Sequence, residues 1–503
     1  MQFPRYLEGR FMRCPYEWAP ESLYFLSPLQ GTSPSHRKFN YFMERKIYLR
    51  KMISPNIFRA YDIRGIYGVD LDEKVAEIIG RALAELGGEG KNFVVGRDVR
   101  LSSEPLGRAL TCGMVSGGLS IMDIGVVTTP LLYFATQFYG VDGGVMVSAS
   151  HNPPEWNGFK ILLGGRFICM GMGMEDLMGI ALKAAFKEAK PGSVKVNPNA
   201  MEDYMRYISK RVNIREGFRL AADPGGGSAT ALMPMVFERV GTKAYIIYGE
   251  PDGSFSKHPP EPDERTLKEL RRVVLDNGAE FGISFDGDGD RAVFIDDRGR
   301  LVPSSTVLAI LIKLYLSKNR GAPVVYEVSC SMVVEETIRA LGGKPILSRV
   351  GHTYIYEKMI SEGAVLGGEM SGHFYFKDIY GFDDGVYAGL KVAEAISEDG
   401  RKLSEIVDSI PKYPEMLAKN YICPDKVKFK VIDDLGEELK SLGFRMVTID
   451  GIKVLTNDGW FLIRASNTQP LIRLTVEARD EEKLRKLTTY AEKIILEKMR
   501  KYC

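Results

Sequence analysis

Short apolar runs alternate with helical patterns along the chain from Ile57 onward. The runs "NFVVGRD", "IMDIGVV" and "GVMVSAS" have the length and composition of buried strands. Between them, "KVAEIIGRALAEL" places Val75, Ile79 and Leu83 on one face of a helix. Strands that alternate with amphipathic helices predict βαβ units with parallel or mixed sheets.

The same rhythm recurs twice further along. "FRLAADPGGGSATALMPMVFERVG" and "PVVYEVSCSMVVEETIRALGG" each predict a strand, a turn and a helix. The last part differs, because "FRMVTIDGIKVLTNDGWFLIRASNTQPLIRLTVEAR" is a series of strands with Asp-Gly turns, followed by one amphipathic helix. We therefore expect an α/β protein with three α/β domains that have mixed sheets, and a C-terminal α+β domain.

Changes in this pattern divide the chain into five segments. They are an extension of residues 1–52, domains at 53–200, 201–301 and 302–412, and the α+β domain at 413–503. The extension has proline and aromatic residues but no clean periodicity. It is either disordered or the result of a translation start placed too early, with Met52 as the alternative start.

Composition narrows the possible functions. The 67 Lys and Arg residues nearly balance the 65 Asp and Glu residues, which argues against nucleic acid as a partner. The six cysteines form no CxxC pair, which favours a reduced, cytoplasmic chain without a zinc cluster or a disulfide scaffold. Lys313 interrupts "VLAILIKLYL", so this run predicts a buried helix, and we expect no membrane partner.

Three carboxylates alternate with glycines in "GISFDGDGDRAVFID", at Asp286, Asp288 and Asp290. Glycine lets the backbone curl so that the carboxylates converge, and hard oxygen ligands suit Mg²⁺ or Ca²⁺. A calcium EF-hand loop is the nearest alternative, but Arg291 and Asp297 occupy its glycine and glutamate positions. An Asp-Gly hairpin loop is the structural alternative. Arg291 directly after the acids indicates an anion such as phosphate near the metal.

A second polar motif lies in "GGEMSGHFYF". If the segment is strand-like, Glu369, Ser371 and His373 lie on one side of it. A carboxylate, a hydroxyl and an imidazole suit the vicinal hydroxyls of a sugar. The alternative is a glycine-rich loop with a structural histidine.

A third motif, "RASNTQPLIR", follows the strand "GWFLI". A guanidinium with several hydroxyl and amide groups suits a phosphate clamp. We assign to it Arg464, Ser466, Asn467, Thr468 and Arg473. The motif lacks the lysine and the helical glycine-rich loop of a nucleotide P-loop, and a polar turn with an Arg–acid pair is the alternative.

Two further clusters, "IFRAYDIRGIYG" and "GRDVRLSS", are interpreted first as Arg–Asp structural networks around Asp62 and Asp98. Some of their arginines are also expected to face phosphate. We assign Tyr61 and Arg64 to substrate binding.

The stretch "VMVSASHNPPEWNGFK" ends an apolar strand at a serine and continues into a loop with an expected Asn157-Gly158 turn. Ser150 fits a turn residue, a helix cap or a nucleophile. The three aspartates, the "GGEMSGHFYF" motif and the phosphate clamp suit a metal, a sugar and a phosphate, but none of them provides a nucleophile. We therefore assign Ser150 to phosphoryl transfer, in which catalysis consists mostly of positioning and charge neutralisation.

Four motifs in this order, "SASHNP", "DGDGDR", "GEMSGH" and "RASNTQP", resemble the α-D-phosphohexomutase superfamily, and most closely its phosphomannomutase/phosphoglucomutase group. The resemblance runs from about Ile57 to the C terminus. It implies four domains around a central cleft, each donating one motif. It also implies that Ser150 is carried as phosphoserine, and that a phosphoserine oxygen joins Asp286, Asp288 and Asp290 around one Mg²⁺.

The activity implied by the resemblance is reversible phosphoryl transfer between C1 and C6 of a hexose phosphate, an isomerase reaction. It proceeds through a hexose 1,6-bisphosphate, which also serves as activator. Glu369 and Ser371 would hold sugar hydroxyls, and the clamp would grip the phosphate that is not transferred. Ser148 in place of the common Thr, and "RASNTQP" in place of the commoner "RPSGTEP", are small departures.

A general base must deprotonate the attacking sugar hydroxyl. Lys160 and His151 are the first candidates, and His373 is the third. Mg²⁺ and Arg291 would offset charge on the transferred group.

Glucose and mannose differ only at C2, and contacts to O3 and O4 barely read that carbon. We therefore expect mannose and glucose phosphates as substrates of a monomer or small homo-oligomer. Phosphoglucosamine mutase is the rival within the family. Outside it, the rivals are a metal-dependent sugar phosphatase, an inactive sugar-phosphate-binding protein and a serine hydrolase, although the last lacks a G-x-S-x-G motif around Ser150.

Overall fold

The computed structural model describes residues 53–466 and 469–502, and they form two compact units. The first unit comprises the described residues up to Met205 together with Gly226–Leu232 and Glu250–Glu261. The second comprises the remaining described residues. The predicted extension of residues 1–52, and Asn467 and Thr468 of the third motif, lie outside the described residues.

The first unit is built on a seven-stranded mixed sheet. Its strands are β1 (Ile63–Ile66), β2 (Asn92–Arg97), β3 (Ser120–Val126), β4 (Gly143–Val147), β5 (Trp156–Leu163), β6 (Arg166–Phe167) and β7 (Val194–Val196). They lie in the order β1-β5-β4-β2-β3-β7, with β6 beside β5. The pairs among β2, β3, β4 and β7 are parallel, whereas β5 runs antiparallel to its neighbours.

The helices of this part are α1 (Glu73–Gly87), α2 (Ser103–Ser116), α3 (Thr129–Phe138) and α4 (Met174–Lys183), and α5 (Ala200–Ser209) follows. Asp72 caps α1 by accepting a hydrogen bond from the backbone N–H of Val75 at 2.8 Å. The predicted face of α1 is buried in a core that it shares with α2, β4 and β5. The alternation of strands and amphipathic helices was therefore predicted correctly.

The Asn157-Gly158 dipeptide does not form the expected turn. Both residues lie inside β5, where Gly65 pairs with Asn157 and Arg64 pairs with Gly158 across the antiparallel ladder. A Cβ atom on Gly158 would lie 1.9 Å from the carbonyl oxygen of Ile63, so glycine permits the close approach of β1. The prediction of a turn was wrong because both residues take part in the pairing of β5 with β1.

The second unit begins with a five-stranded mixed sheet in the order β12-β11-β10-β8-β9. Its strands are β8 (Arg219–Asp223), β9 (Lys243–Ile246), β10 (Phe281–Phe285), β11 (Ala292–Asp296) and β12 (Leu301–Val302), with helices α6 (Met233–Arg239) and α7 (Leu267–Asn277). The strand β10 runs parallel to β8 and antiparallel to β11. The turn between β10 and β11 carries the "DGDGDR" motif.

A four-stranded mixed sheet follows in the order β14-β13-β15-β16. Its strands are β13 (Pro323–Glu327), β14 (Lys344–Ser348), β15 (Leu366–Gly368) and β16 (Phe374–Phe376). The helices are α8 (Ser304–Lys318), α9 (Met332–Ala340), α10 (His352–Glu362), α11 (Gly385–Asp399) and α12 (Leu403–Asp408). The helix α8 contains "VLAILIKLYL" and is buried apart from Lys313 and its C-terminal end, as expected. Of the helices in the described ranges, none combines the length and apolarity needed to cross a membrane.

The last sheet is entirely antiparallel, in the order β17-β21-β20-β19-β18. Its strands are β17 (Glu415–Ile422), β18 (Arg445–Val447), β19 (Ile452–Leu455), β20 (Gly459–Ala465) and β21 (Leu471–Ala478), with helices α13 (Asp425–Ser441) and α14 (Glu481–Met499). The α+β prediction is thus confirmed, although the sequence reasoning missed α13.

Three cysteines of the described ranges, Cys169, Cys330 and Cys423, are buried and free of disulfide bonds.

Candidate active site

Ser150 lies just beyond the C-terminal end of β4 in a strained backbone conformation. Its φ angle is 52°, in the left-handed region that non-glycine residues rarely adopt. The backbone N–H of Ser150 donates to the side-chain oxygen of Ser148 at 2.9 Å, and the residue is buried. Strain of this kind is typical of functional sites, where the surrounding structure enforces it.

Arg100 holds the loop that carries Ser150. Its guanidinium donates to the backbone carbonyl oxygens of Ser150 and Asn152, each at 2.6 Å, and to those of Pro153 at 2.6 Å and Trp156 at 3.2 Å. Its Nε donates to Asp98 at 3.1 Å. The Arg100 side chain is fully buried, so one rigid cation satisfies four carbonyl groups of the loop.

Asp98 holds Arg100 in place through hydrogen bonds. It accepts the backbone N–H of Arg100 at 3.0 Å and the hydroxyl of Ser103. Burial raises the pKa of Asp98, while Arg100 and Ser103 act in the opposite direction. The structural network expected around Asp98 is therefore present, and its purpose is to fix the Ser150 loop.

Arg64 contacts the same loop from β1. It forms an ion pair with Asp62 at 2.8 Å, donates to the carbonyl of Ala149 at 3.1 Å and donates to the side chain of Asn152. The network expected around Asp62 is thus present as well, and Tyr61 precedes it with a half-buried side chain.

Two of the candidate bases lie near Ser150 in the chain. Nδ1 of His151 lies 3.2 Å from Oγ of Ser150, which is hydrogen-bonding distance. Lys160 lies on β5 opposite Met146 and is only 3% exposed. Its burial fits a lysine that works within the site rather than on the surface.

The three aspartates of the "DGDGDR" turn converge as the sequence predicted. Asp286, Asp288 and Asp290 are buried, and each offers a carboxylate oxygen within 4.8 Å of the others. Buried carboxylates this close repel one another unless a cation lies between them. Three hard oxygen donors suit a divalent ion of the Mg²⁺ type.

Arg291 and His373 connect the "DGDGDR" turn to the "GEMSGH" motif. The two residues form an isolated antiparallel bridge, and Nε of Arg291 donates to Nε2 of His373 at 3.1 Å. Nδ1 of His373 lies 2.6 Å from Asp383 and 3.7 Å from Asp290. Burial lowers the pKa of His373, but Asp290 and Asp383 outweigh burial and raise it to about 9. The hydrogen bond from Arg291 needs a free lone pair on Nε2, so it forms only with the neutral ring. A cation bound at Asp290 would offset the carboxylate charge that raises the pKa of His373, and would thereby favour the neutral ring.

The "GEMSGH" motif forms a turn instead of the expected extended strand. Gly372 has a φ angle of 90°, and its N–H donates to the carbonyl of Glu369 at 3.2 Å. As a result Glu369 and His373 are buried, whereas Ser371 is exposed. The prediction that all three side chains alternate along a strand was wrong, because the glycine closes the chain into a turn.

Glu369 is held by two donors. Its Oε2 accepts the backbone N–H of Gly351 at 3.1 Å, and its Oε1 accepts the hydroxyl of Tyr375. Burial raises the pKa of Glu369, while His373 and Tyr375 counteract this effect. Each carboxylate oxygen keeps acceptor capacity for a further donor, such as a sugar hydroxyl.

The third motif lies at the end of β20 and the start of β21. Arg464 and Arg473 are direct partners across this antiparallel pair. Like charges in this position destabilise a sheet, and an anion between them would relieve the repulsion. Ser466 is buried beside them in the chain, and its side chain accepts the N–H of Gln469 at 3.2 Å.

Sequence reasoning missed several residues that position these groups. It did not assign Tyr375, Asp383, Gly351 or Asp450 to the site, although each contacts a predicted site residue. It also left His352 aside, whose ring centroid lies 6.4 Å from that of His373. The first four residues lie 6 to 18 positions from the site residues that they contact, and no pattern in the sequence marks them as partners.

Comparison with known proteins shows the same four-part organisation. The chain matches the models of phosphoglucomutase/phosphomannomutase alpha/beta/alpha domain I at residues 55–168, domain II at 202–299, domain III at 303–413 and the C-terminal domain at 419–493. Together these matches cover most of the chain.

Individual relatives agree with this result. The chain is 34% identical to a phosphomannomutase/phosphoglucomutase of Pseudomonas aeruginosa, over 87% of this chain and 95% of the relative. It is 35% identical to a probable phosphoglucosamine mutase of Methanopyrus kandleri, over 86% and 95% of the two chains. A crystal structure of a phosphoglucomutase/phosphomannomutase family protein from Burkholderia thailandensis has a TM-score of 0.83 at 33% identity, and covers 89% and 98%. The chain therefore belongs to the phosphoglucomutase/phosphomannomutase family, whose members are mutases of the isomerase class.

Proposed function

We propose that this protein interconverts the 1- and 6-phosphates of mannose and glucose through a phosphoserine at position 150. The observation that carries the proposal is the connection of a carboxylate triad to a buried glutamate-bearing turn through Arg291 and His373. A cation site and an acceptor for sugar hydroxyls thereby lie side by side in one unit.

The cation assigned to the triad is a single Mg²⁺, with the phosphoserine oxygen as a further ligand. Its chemistry is to neutralise charge on the phosphoryl group as the group moves between oxygens. The convergent, buried donor set supports this assignment. The domain boundaries that we propose lie close to residues 200, 301 and 412.

The reaction has two transfers. The bond between phosphorus and Oγ of Ser150 breaks as the free hydroxyl of the sugar phosphate attacks. This hydroxyl loses its proton to a base while Oγ of Ser150 takes up a proton, and in the second transfer Oγ loses its proton and the departing sugar oxygen gains one. The resulting hexose 1,6-bisphosphate, which also primes the enzyme, turns end over end and returns its other phosphoryl group to Ser150. His151, at 3.2 Å from Oγ, and the buried Lys160 are the bases proposed, and His373 is the third candidate.

Substrate binding divides between two groups of residues. Glu369 and Ser371 hold sugar hydroxyls, while the clamp of Arg464, Ser466, Asn467, Thr468 and Arg473 binds the phosphate that stays. Tyr61 and Arg64 contribute from the first unit, where Arg64 also holds the Ser150 loop. The cross-strand arginine pair supports the clamp.

Phosphoglucosamine mutase is the second candidate. The relative from Methanopyrus kandleri carries that name at an identity similar to that of the Pseudomonas enzyme. Mannose and glucose remain the preferred substrates of the proposal, because the methionine of "GEMSGH" and the asparagine of "RASNTQP" favour them over glucosamine.

One assay separates these alternatives. The protein is incubated with Mg²⁺, a trace of glucose 1,6-bisphosphate, and mannose, glucose or glucosamine 1-phosphate in turn, and the 6-phosphate product is measured. We expect mannose and glucose 6-phosphates to form, and Ser150→Ala to abolish both. Faster conversion of the glucosamine phosphate would favour the second candidate. Release of inorganic phosphate without isomerisation would identify a phosphatase and overturn the proposal.

We further propose a cytoplasmic protein that acts on small molecules, without nucleic-acid or membrane partners, as a monomer or small homo-oligomer. The net charge of +2 supports the lack of a nucleic-acid partner. Size-exclusion chromatography with light scattering tests the oligomeric state.

A further inference from the structure

The turn between β18 and β19 lies directly against the clamp arginine. Gly451 has a φ angle of 74°, and a Cβ atom there would lie 2.4 Å from the carbonyl oxygen of Ile463 and 2.6 Å from Cγ of Arg464. This close packing places the neighbouring Asp450 beside the guanidinium, with Oδ2 of Asp450 3.6 Å from Nη1 of Arg464. Both side chains are mostly buried, at 13% and 18% exposure.

The same carboxylate oxygen also reaches the segment between β14 and α10. The backbone N–H of Val350 donates to Oδ2 of Asp450 at 3.1 Å. The next N–H along the chain, that of Gly351, donates to Oε2 of Glu369 at 3.1 Å. Two successive backbone groups therefore connect the clamp arginine to the glutamate assigned to the sugar.

Other contacts between these parts do not involve Asp450. Nζ of Lys453 donates to the carbonyl of Val328 at 2.6 Å, and Glu477 accepts the N–H of Met332 at 2.7 Å. Val328 and Trp460 also share a small apolar cluster. We therefore expect these contacts between the two domains to persist when Asp450 is replaced, which makes the link testable.

We propose that Asp450 is a positioning residue that couples phosphate recognition to sugar recognition. Its carboxylate orients Arg464 and, through Val350 and Gly351, fixes the position of Glu369. The proposal rests on the function proposed above, in which these two side chains bind opposite ends of a hexose phosphate. A hexose phosphate is then bound more tightly than the separate contributions of its phosphate and its sugar predict.

Two substitutions separate the parts of the link. Asp450→Asn removes the charge beside Arg464 but keeps a side-chain oxygen that accepts the N–H of Val350. Asp450→Ala removes the charge and the acceptor together. A comparison of these two variants isolates the hydrogen bond to Val350, because the charge is absent from both. Asp458→Asn, an exposed aspartate in the next turn of the same sheet, is the control.

Binding is measured by calorimetry in a Ser150→Ala background, so that the ligands are not turned over. The ligands are glucose 1-phosphate and inorganic phosphate. Relative to Asp450→Asn, we expect Asp450→Ala to weaken glucose 1-phosphate binding about tenfold and to leave phosphate binding unchanged. Glu369→Gln should then weaken sugar phosphate binding less in the Ala variant than in the Asn variant, because the link to Glu369 is already broken.

The outcomes distinguish this inference from the function it rests on. Equal binding of glucose 1-phosphate by the Ala and Asn variants would overturn the coupling role, as would full additivity with Glu369→Gln. If the protein with Asp450 unchanged binds glucose 1-phosphate no more tightly than inorganic phosphate, the proposed function itself fails. Circular dichroism and thermal unfolding confirm that each variant is folded before its binding is interpreted.

Discussion

Arg100 donates a hydrogen bond of 2.6 Å to the backbone carbonyl of Ser150, and so links the conformation of the Ser150 loop to a buried cation. Three further carbonyl groups of the loop use the same guanidinium. The several N–H donors of the guanidinium matter here more than its positive charge, because the single ammonium group of a lysine cannot reach four carbonyls at once.

Arg100→Lys therefore tests this arrangement. The substitution keeps the charge beside Asp98 but leaves buried carbonyl groups without donors, so we expect the free energy of unfolding to fall by about 3 kcal/mol. Misplacement of Ser150 should lower turnover about 100-fold. Urea unfolding and a coupled mutase assay measure the two effects.

Arg108→Lys is the matched control. This arginine lies on α2, pairs with Glu104 and is 78% exposed, so the change should stay within about 0.5 kcal/mol. Equal effects of the two substitutions would contradict the role given to Arg100.

Gly158→Ala tests the close approach of β1 to β5. The added methyl group would lie 1.9 Å from the carbonyl of Ile63, so the strands must separate, and we expect a loss of about 2–3 kcal/mol in unfolding free energy. Gly179, inside α4, is the control, because a Cβ atom added there would have no neighbouring atom within 4 Å. Gly179→Ala should therefore stabilise the helix slightly. A Gly158→Ala protein as stable as the original would show that the pairing is looser than described.

Asp288→Asn tests the cation site through stability instead of activity. Removing one of three converging carboxylates relieves their repulsion, so the metal-free variant should unfold at a higher temperature than the metal-free original. Added Mg²⁺ should raise the unfolding temperature of the original protein and have little effect on the variant. Differential scanning fluorimetry with and without EDTA measures both changes.

The exposed Asp276 provides the comparison for this experiment. Asp276→Asn should leave the Mg²⁺ response intact. If Asp288→Asn keeps the full response to Mg²⁺, the triad is not the site of the ion.

Glu415 and Glu477 are direct neighbours on β17 and β21, and their proximity makes stability depend on pH. Burial and then the charge of Glu477 raise the pKa of Glu415. A raised carboxyl pKa means that the folded protein holds its proton more tightly, so the cost of ionisation is absent at low pH and present at high pH. Glu415→Gln should therefore stabilise the protein by about 0.5 kcal/mol at pH 8, a modest value because Glu415 is exposed and solvent screens its charge.

The gain should shrink as the pH falls through the raised pKa of Glu415, because Glu415 then takes up its proton in the original protein as well. Urea unfolding at several pH values follows this trend. Glu437→Gln, at an exposed position on α13, serves as the control and should show no such pH dependence. A gain that grows on acidification would have the wrong sign and would refute the explanation.

Local patterns in the sequence were enough to predict the strand before Ser150 and the carboxylate turn. In both cases the chemistry lies within a few consecutive residues, and an apolar strand fixes where the polar segment begins. The alternation of strands and helices was predictable for the same reason, since burial on one face imposes a period on each element.

Other features depend on contacts that no local pattern reports. The Asn157-Gly158 dipeptide is typical of a turn, but the backbone of β1 occupies the space that a missing Cβ leaves. The "GEMSGH" motif is typical of an alternating strand, but Gly372 reverses it against Ala292, whose N–H donates to the carbonyl of Gly372 at 3.0 Å. Asp450 lies 100 residues from the backbone group it accepts, so only the folded chain reveals its role.

The left-handed backbone at Ser150 also limits which hydroxyl amino acid can carry a phosphoryl group there. A threonine has the same nucleophilic oxygen, but its branched Cβ makes a φ angle near 52° a genuine steric outlier. Asparagine and aspartate tolerate this conformation but offer no hydroxyl. If residue 150 carries the phosphoryl group as proposed, its backbone geometry alone favours serine over threonine there, independently of any contact with a ligand.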